Sequence, residues 1–202
     1  MRNLIDGRAI AEKVYVDLRT QIAELKSKGV TPGLAVVLVG CESTKEMWGH
    51  LWSSGARATA QLEPTNGSNV RGTVNFVQTA DRVRVSGTVS GLRPNSEVGF
   101  HIHEAGDCSS GDGMSAKGHF NPMKKPHGQP GSSDRHAGDM PSLKADASGN
   151  AKVDATLDII TVSPGPASVV GKGLIVHAQP DDYKTQPTGN AGARLACAVI
   201  QG

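Results

Sequence analysis

Six of the seven histidines in this 202-residue chain, His101, His103, His119, His127, His136 and His177, fall with Asp139 in a pattern that paired metal ions require and an ordinary core does not. His101 and His103 are separated by one residue, so on a strand both rings leave the same face and can converge on one ion. Such an imidazole-rich set suits copper or zinc and disfavours calcium or magnesium. His119, His127, His136 and Asp139 add three imidazoles and a carboxylate, enough for a closed tetrahedral site. With His101, His103 and His177 left for the other ion, His119 is the histidine that can serve both. Bridging uses both of its ring nitrogens and requires loss of the second proton, which two strongly polarising cations favour.

Most of these ligands lie in a stretch that offers little regular structure. Between Asp107 and Pro141 turn signals recur every few residues, and a loop of that length in a compact domain needs an organiser such as metal or disulfide. Around it, residues 57–63, 70–77, 82–89, 99–104, 151–157, 173–177 and 195–200 form short alternating or apolar runs bounded by turn residues, the pattern of strands. NGSN at 66–69 and TADR at 79–82 can close hairpins. Only 3% of the chain is aromatic, so Val, Leu, Ile and Ala must fill most of a core.

At these residues a resemblance becomes specific. GFHIHEAGDC (99–108), GHFNP (118–122), HGQPGSSDRHAGD (127–139), VHAQPDD (176–182) and GNAGARLAC (189–197) resemble copper/zinc superoxide dismutase of the bacterial, exported type, over residues 57–202. The resemblance implies an all-β fold, an eight-stranded Greek-key β-barrel related to immunoglobulin-like sandwiches, with a long metal-binding loop. It implies copper on His101, His103, His119 and His177, and zinc on His119, His127, His136 and Asp139, with His119 as the bridge. Asp181 matches an aspartate that bonds one copper-ligand and one zinc-ligand histidine. Arg194 matches the arginine beside the copper channel, where it would attract and dock the anion. Cys108 and Cys197 match an intrasubunit disulfide, which favours an oxidising compartment and, by resemblance, the periplasm. The implied reaction is dismutation of superoxide to oxygen and hydrogen peroxide, in a homodimer if the likeness extends to assembly. A copper/zinc-binding protein with reduced or no turnover is the alternative. One departure favours that alternative: the family's histidine two residues before the phenylalanine of GFHIH is here Val98, and a buried partner left alone by valine would cost about 1–3 kcal/mol.

The first 56 residues read differently. Ile10, Val14, Leu18, Ile22 and Leu25 repeat at helical spacing up to Gly29 and Pro32, and 34–39 reads as a buried strand. Residues 1–40 resemble the amino-terminal fragment of methylenetetrahydrofolate dehydrogenase/cyclohydrolase. The likeness stops at CESTKEMWGHLWSSG (41–55), where that family carries a tyrosine and a catalytic lysine, and no dinucleotide fingerprint follows, so folate chemistry is not expected. We read 1–40 as a helix-strand appendage, 41–56 as a linker and 57–202 as the metal-binding domain. Trp48, Leu51 and Trp52 form a small patch at helical spacing, and His50 reads as a solvated histidine. LVGC (38–41) is a weak lipid-attachment box at Cys41, the ahead-lying charged helix being too long for a signal peptide, and no run spans a membrane. The formal net charge of +2 is dispersed, which excludes a nucleic-acid surface. Lys124 and Lys125 read as a solvated loop, or with Lys184 and Arg194 as an attractor for a small anion.

Overall fold

Alternation of polar and aliphatic residues sets one half of the molecule. The computed structural model describes residues 55–79 and 81–202. The readings made for residues 1–54, including the helix, the 34–39 strand, Cys41 and His50, lie outside the described residues. Strand β1 (Arg57–Pro64) turns Ala58, Ala60 and Leu62 inward and leaves Arg57, Thr59 and Gln61 in solvent. Strand β2 (Arg71–Thr79) buries Val74 and Phe76, and β3 (Arg82–Ser90) buries Val83, Val85 and Val89. Each Leu, Val or Phe among them contributes about 1.5–3 kcal/mol by leaving water. The turns expected at 66–69 and 79–82 connect antiparallel pairs β1–β2 and β2–β3.

The expected strand at 99–104 forms over Phe100–His103, and a separate two-residue strand precedes it. Strand β4 (Glu97–Val98) pairs with β6 (Leu143–Lys144), a strand that the sequence pattern does not announce, whereas β5 (Phe100–His103) pairs with β8 (Gly173–His177). The chain changes partners at Gly99, whose N–H donates to Gln179 O at 2.7 Å while its C=O accepts the His177 N–H at 2.8 Å. Strands β7 (Ala151–Leu157) and β9 (Arg194–Gln201) complete a curled antiparallel sheet of order β5-β8-β9-β1-β2-β3-β7, with β6 lying beside β7. Counting β4 and β5 as one interrupted passage, the nine strands make eight passages, in keeping with the eight-stranded Greek-key barrel. Strand β7 returns beside β3 only after the chain has run through β4, β5 and β6, which is the Greek-key crossing. Leu62, Phe76, Phe100, Ile102, Leu174 and Ile200 fill the interior, and all three phenylalanines of the chain belong to the core.

In β5 and β8 the alternation of burial stops, because every residue of both strands is buried. Phe100, Ile102, Leu174 and Val176 belong to the main apolar core, and the intervening His101, His103 and His177 are covered as well. The cover comes from the long loop. Phe120 N–H donates to Ile102 O at 2.8 Å, Ile102 N–H to Gly138 O at 3.0 Å, and Glu104 N–H to Gly118 O at 2.9 Å, so the loop occupies the edge of β5 that a neighbouring strand would otherwise use. The segment thought too rich in turn residues for regular structure thus borrows its order from β5, with bridges His103↔His119 and His101↔Asp139.

Candidate metal centre

The strand and its edge loop bring the sequence-predicted ligands together as two groups. His101, His103, His119 and His177 form one, and His119, His127, His136 and Asp139 the other, with the donor atoms of each group within 4.8 Å of one another and every residue buried. In the first group, the outer nitrogen of each strand histidine has a partner. His103 Nδ1 faces Lys117 O at 2.8 Å and His177 Nδ1 faces Gly192 O at 3.3 Å. A carbonyl only accepts, so those nitrogens carry the protons and each Nε2 presents a lone pair. The two Nε2 atoms lie 3.3 Å apart, aimed at one another. His101 Nε2–H donates to Asp181 Oδ2 at 2.6 Å, which leaves its Nδ1 without a partner. His119 Nε2 is likewise unpartnered and buried. Four converging lone pairs without a hydrogen are a cation site, since neighbouring acceptors would otherwise repel.

The second group is built on Asp139. Its Oδ2 accepts main-chain N–H groups of Gly128 at 3.1 Å and His136 at 2.8 Å, which fixes the carboxylate and aims Oδ1 at the imidazoles. Oδ1 lies 2.8 Å from His119 Nδ1, 3.0 Å from His127 Nδ1 and 3.5 Å from His136 Nδ1. A tetrahedral ion with bonds of about 2.0–2.1 Å sets donor-to-donor edges near ~3.3 Å, so these residues fit one. His119 contributes Nδ1 here and Nε2 to the first group. Asp181 joins the groups from outside, since its Oδ1 accepts from His127 Nε2 at 2.9 Å while Oδ2 holds His101. Gly189, at φ +65°, lies against that carboxylate, where a side chain would collide with Asp181 Oδ1 and come within 2.6 Å of His127 Nε2.

Residues 70–200 match the family copper/zinc superoxide dismutase. The chain belongs to that family. It is 43% identical to superoxide dismutase [Cu-Zn] 1 of Aquifex aeolicus, over 64% of this chain and 79% of that one. The corresponding figures for superoxide dismutase [Cu-Zn] 2 of the same organism are 41%, 74% and 90%. Among solved structures the crystal structure of the clock protein EA4 superposes with a TM-score of 0.67 at 39% identity, covering 74% of this chain and 96% of that one. Copper and zinc are therefore the cofactors, superoxide is the substrate, and the enzyme catalyses its dismutation. A metal-binding protein without turnover is not favoured. The family match begins at residue 70 and lends no support to the folate-enzyme likeness read over residues 1–40.

Electrostatics prepares the dismutase groups differently. Burial lowers His103 well below its ordinary value, reinforced by the charges of His119, His177 and Arg194. Burial also takes His119 down to about 4, against the pull of Asp139, and His177 down to about 3. These rings are neutral at pH 7 and hold their lone pairs ready. His127 goes the other way: burial opposes its charge, but hydrogen bonds to Asp139 and Asp181 outweigh it and raise the ring to about 9. Burial would raise Asp139 and Asp181, yet the histidines bonded to them hold both well below the usual carboxylate range. In the metal-free protein the second group is thus an imidazolium beside a carboxylate, and an incoming cation displaces that proton.

Around the dismutase centre several supports went unread in the sequence. Arg194 Nη1 donates to Gly113 O at 2.6 Å and Nη2 to Lys117 O at 2.5 Å, and Lys117 O is the acceptor that also orients His103. Lys117 performs this at φ 63°, ψ −149°, a region that glycine adopts and other residues avoid. Arg135, buried beside His136, bonds Ser132 O and Asp158 just past β7. Gln186 holds the main chain of His127. A charged Arg135 next to the candidate donor His136 was the one visible hint; nothing in the sequence marks Lys117 or Gln186. The Cys108–Cys197 disulfide is present with its Cα atoms 5.8 Å apart, tying the start of the loop to β9. Closing 89 residues of chain contributes about 2–5 kcal/mol. Val98 is buried in the apolar core, and the buried side-chain N and O atoms that lack partners among the described residues are all nitrogens of the clustered histidines. Lys125 pairs with Asp134 at 3.0 Å on the surface, while Lys124 and Lys184 are exposed.

Proposed function

We propose that copper is held by His101, His103, His119 and His177, that zinc is held by His119, His127, His136 and Asp139, and that His119 bridges them. The observation that carries this reading is the pair of His119 nitrogens, Nδ1 facing Asp139 and Nε2 buried without a partner toward the other three histidines. Copper, when bound, supplies the one-electron oxidation and reduction that superoxide requires. The residues of the chain do the rest. His119 Nε2 is the atom that takes up and releases a proton between encounters, because its Nδ1 is committed to the second group. Asp181 fixes the tautomers of His101 and His127 so that both present Nδ1 inward. Arg194, held by two carbonyls and thus fixed in direction, attracts and docks the anion.

The test is a pair of variants with copper and zinc contents measured. His119→Ala should weaken both metals, and His127→Ala should weaken zinc and leave the copper spectrum in place. A His119→Ala protein with full zinc and an unaltered copper spectrum would show that the bridge is misassigned. We further infer that residues 57–202 constitute the catalytic domain and that residues 1–56 are dispensable for metal binding; limited proteolysis yielding an active fragment that starts near residue 55 tests this. Export to the periplasm accords with the disulfide and is tested by cell fractionation. A homodimer is tested by sedimentation. Among the described residues no helix is long and apolar enough to cross a membrane.

A further inference from the structure

Gln186 belongs to neither donor group, yet its side-chain amide closes on the main chain of a ligand from a different loop. Its Oε1 accepts the His127 N–H at 2.8 Å and its Nε2 donates to the His127 C=O at 2.9 Å. The two bonds fix the amide's orientation, since only the oxygen can face an N–H and only the NH₂ a carbonyl. The turn that carries Gln186 is braced independently. Asp182 accepts the N–H groups of Lys184 and Thr185 at 2.9 and 2.8 Å and the Thr185 hydroxyl at 2.6 Å, and Gly189 N–H donates to Thr185 O at 2.7 Å. Asp181, at the start of the same turn, holds the His127 ring. One segment therefore grips His127 by both its ring and its peptide groups.

His127 needs that grip more than the other donors of its group. His119 and Asp139 are bridged to β5, and the His136 N–H is fixed by Asp139. His127 lies on a stretch of turns between Pro122 and Arg135 with no strand at all. When an ion leaves a closed four-donor site, one donor must swing away first, and the donor on the least supported backbone does so at the lowest cost. We propose that Gln186 is a positioning residue, a latch that holds His127 closed and sets the rate at which metal leaves the second group. The proposal rests on the reading of that group as the zinc site.

The test compares Gln186→Met, which keeps length and loses both hydrogen bonds, with Gln186→Glu, which keeps the acceptor and loses the donor. In zinc-loaded protein, zinc release to a chelator should be about tenfold faster in the Met variant, the lower end of the effect of removing an outer partner of a ligand, and intermediate in the Glu variant. Cobalt bound in place of zinc should show a shifted ligand-field spectrum in the Met variant, and the His127 amide should exchange faster in metal-free protein. Copper release should change less than twofold. Zinc release at the wild-type rate, or equal acceleration of copper and zinc release, would overturn the latch. If instead His127→Ala binds zinc as tightly as the wild type, the zinc-site reading fails and the latch fails with it.

Discussion

The half of the sheet made of β1, β2, β3 and β7 and the half made of β5 and β8 solve burial in opposite ways. In the first, side chains alternate between core and water, and every polar residue on the outer face is solvated. In the second, a loop covers the outer face, so the polar residues there are buried and each must find a partner. What partners them is each other, two aspartates and a few carbonyls, and the lone pairs that remain converge in groups that could hold metal. Stability and chemistry are consequently separated in space: apolar packing supports the barrel, and a polar network supports the site.

The separation can be broken first from the barrel side. Phe76→Ala, deep under β2, should cost about 3–5 kcal/mol of stability, measured by denaturant unfolding, while the folded fraction retains wild-type copper and zinc content. Metal loss in the folded fraction would mean that the two regions are not separable. From the site side, Asp181→Ala removes the acceptor of one ring in each group. Affinity for both metals should fall by about 10–100-fold, measured by competition with a chelator. A loss confined to one metal would show that Asp181 does not couple them.

Acidity should sharpen the contrast in the metal-free protein. His119 and His177, with folded values of about 4 and 3 against an ordinary 6.5, bind fewer protons folded than unfolded, so stability should fall as pH drops below about 6.5. Asp139 and Asp181, both depressed, add to the loss at lower pH as they protonate. His127 has the opposite sign: raised to about 9, it contributes stability that is complete below 6.5 and lost as pH climbs through 9. Unfolding midpoints should therefore peak near pH 6.5 without metal and flatten when both metals are bound, because bound ions exclude those protons. A midpoint that rises steadily from pH 6.5 to 9 would refute the assignment for His127. The smallest expected effect is a gain. Lys117→Gly should stabilise the metal-free protein by about 1 kcal/mol in thermal unfolding, because it relieves the positive φ while keeping the carbonyl that Arg194 and His103 share. Destabilisation would show that the lysine side chain contributes packing that outweighs the strain.

Much of the candidate donor set was legible because its signal is local. His101-x-His103 on an alternating strand declares a shared face, and His127, His136 and Asp139 stand close together in a stretch with no other reason to be ordered. The change of partners at Gly99 and strand β6 were not legible, since two-residue strands leave no period to detect and their pairing depends on which partner arrives. Gln186 and Lys117 were invisible for a different reason. Each works through a main-chain group across a long separation, since Gln186 bonds the main chain of His127 59 residues away and the Lys117 carbonyl accepts from side chains 14 and 77 residues away, and main-chain groups have no sequence identity.

By itself the sequence determined the residue types that can bind metal, the inward and outward faces of β1, β2 and β3, and the three cysteines available for bonding, because side-chain chemistry and a period of two are properties of neighbouring residues. Only the tertiary structure decided that the loop lies on the edge of β5, that Asp181 reaches both donor groups, and which nitrogen of each imidazole faces inward. Those outcomes depend on which carbonyls and carboxylates arrive at the other side of each ring. A ring nitrogen bonded to an acceptor keeps its proton and leaves its counterpart free for metal, and the acceptor comes from wherever the fold brings the chain back.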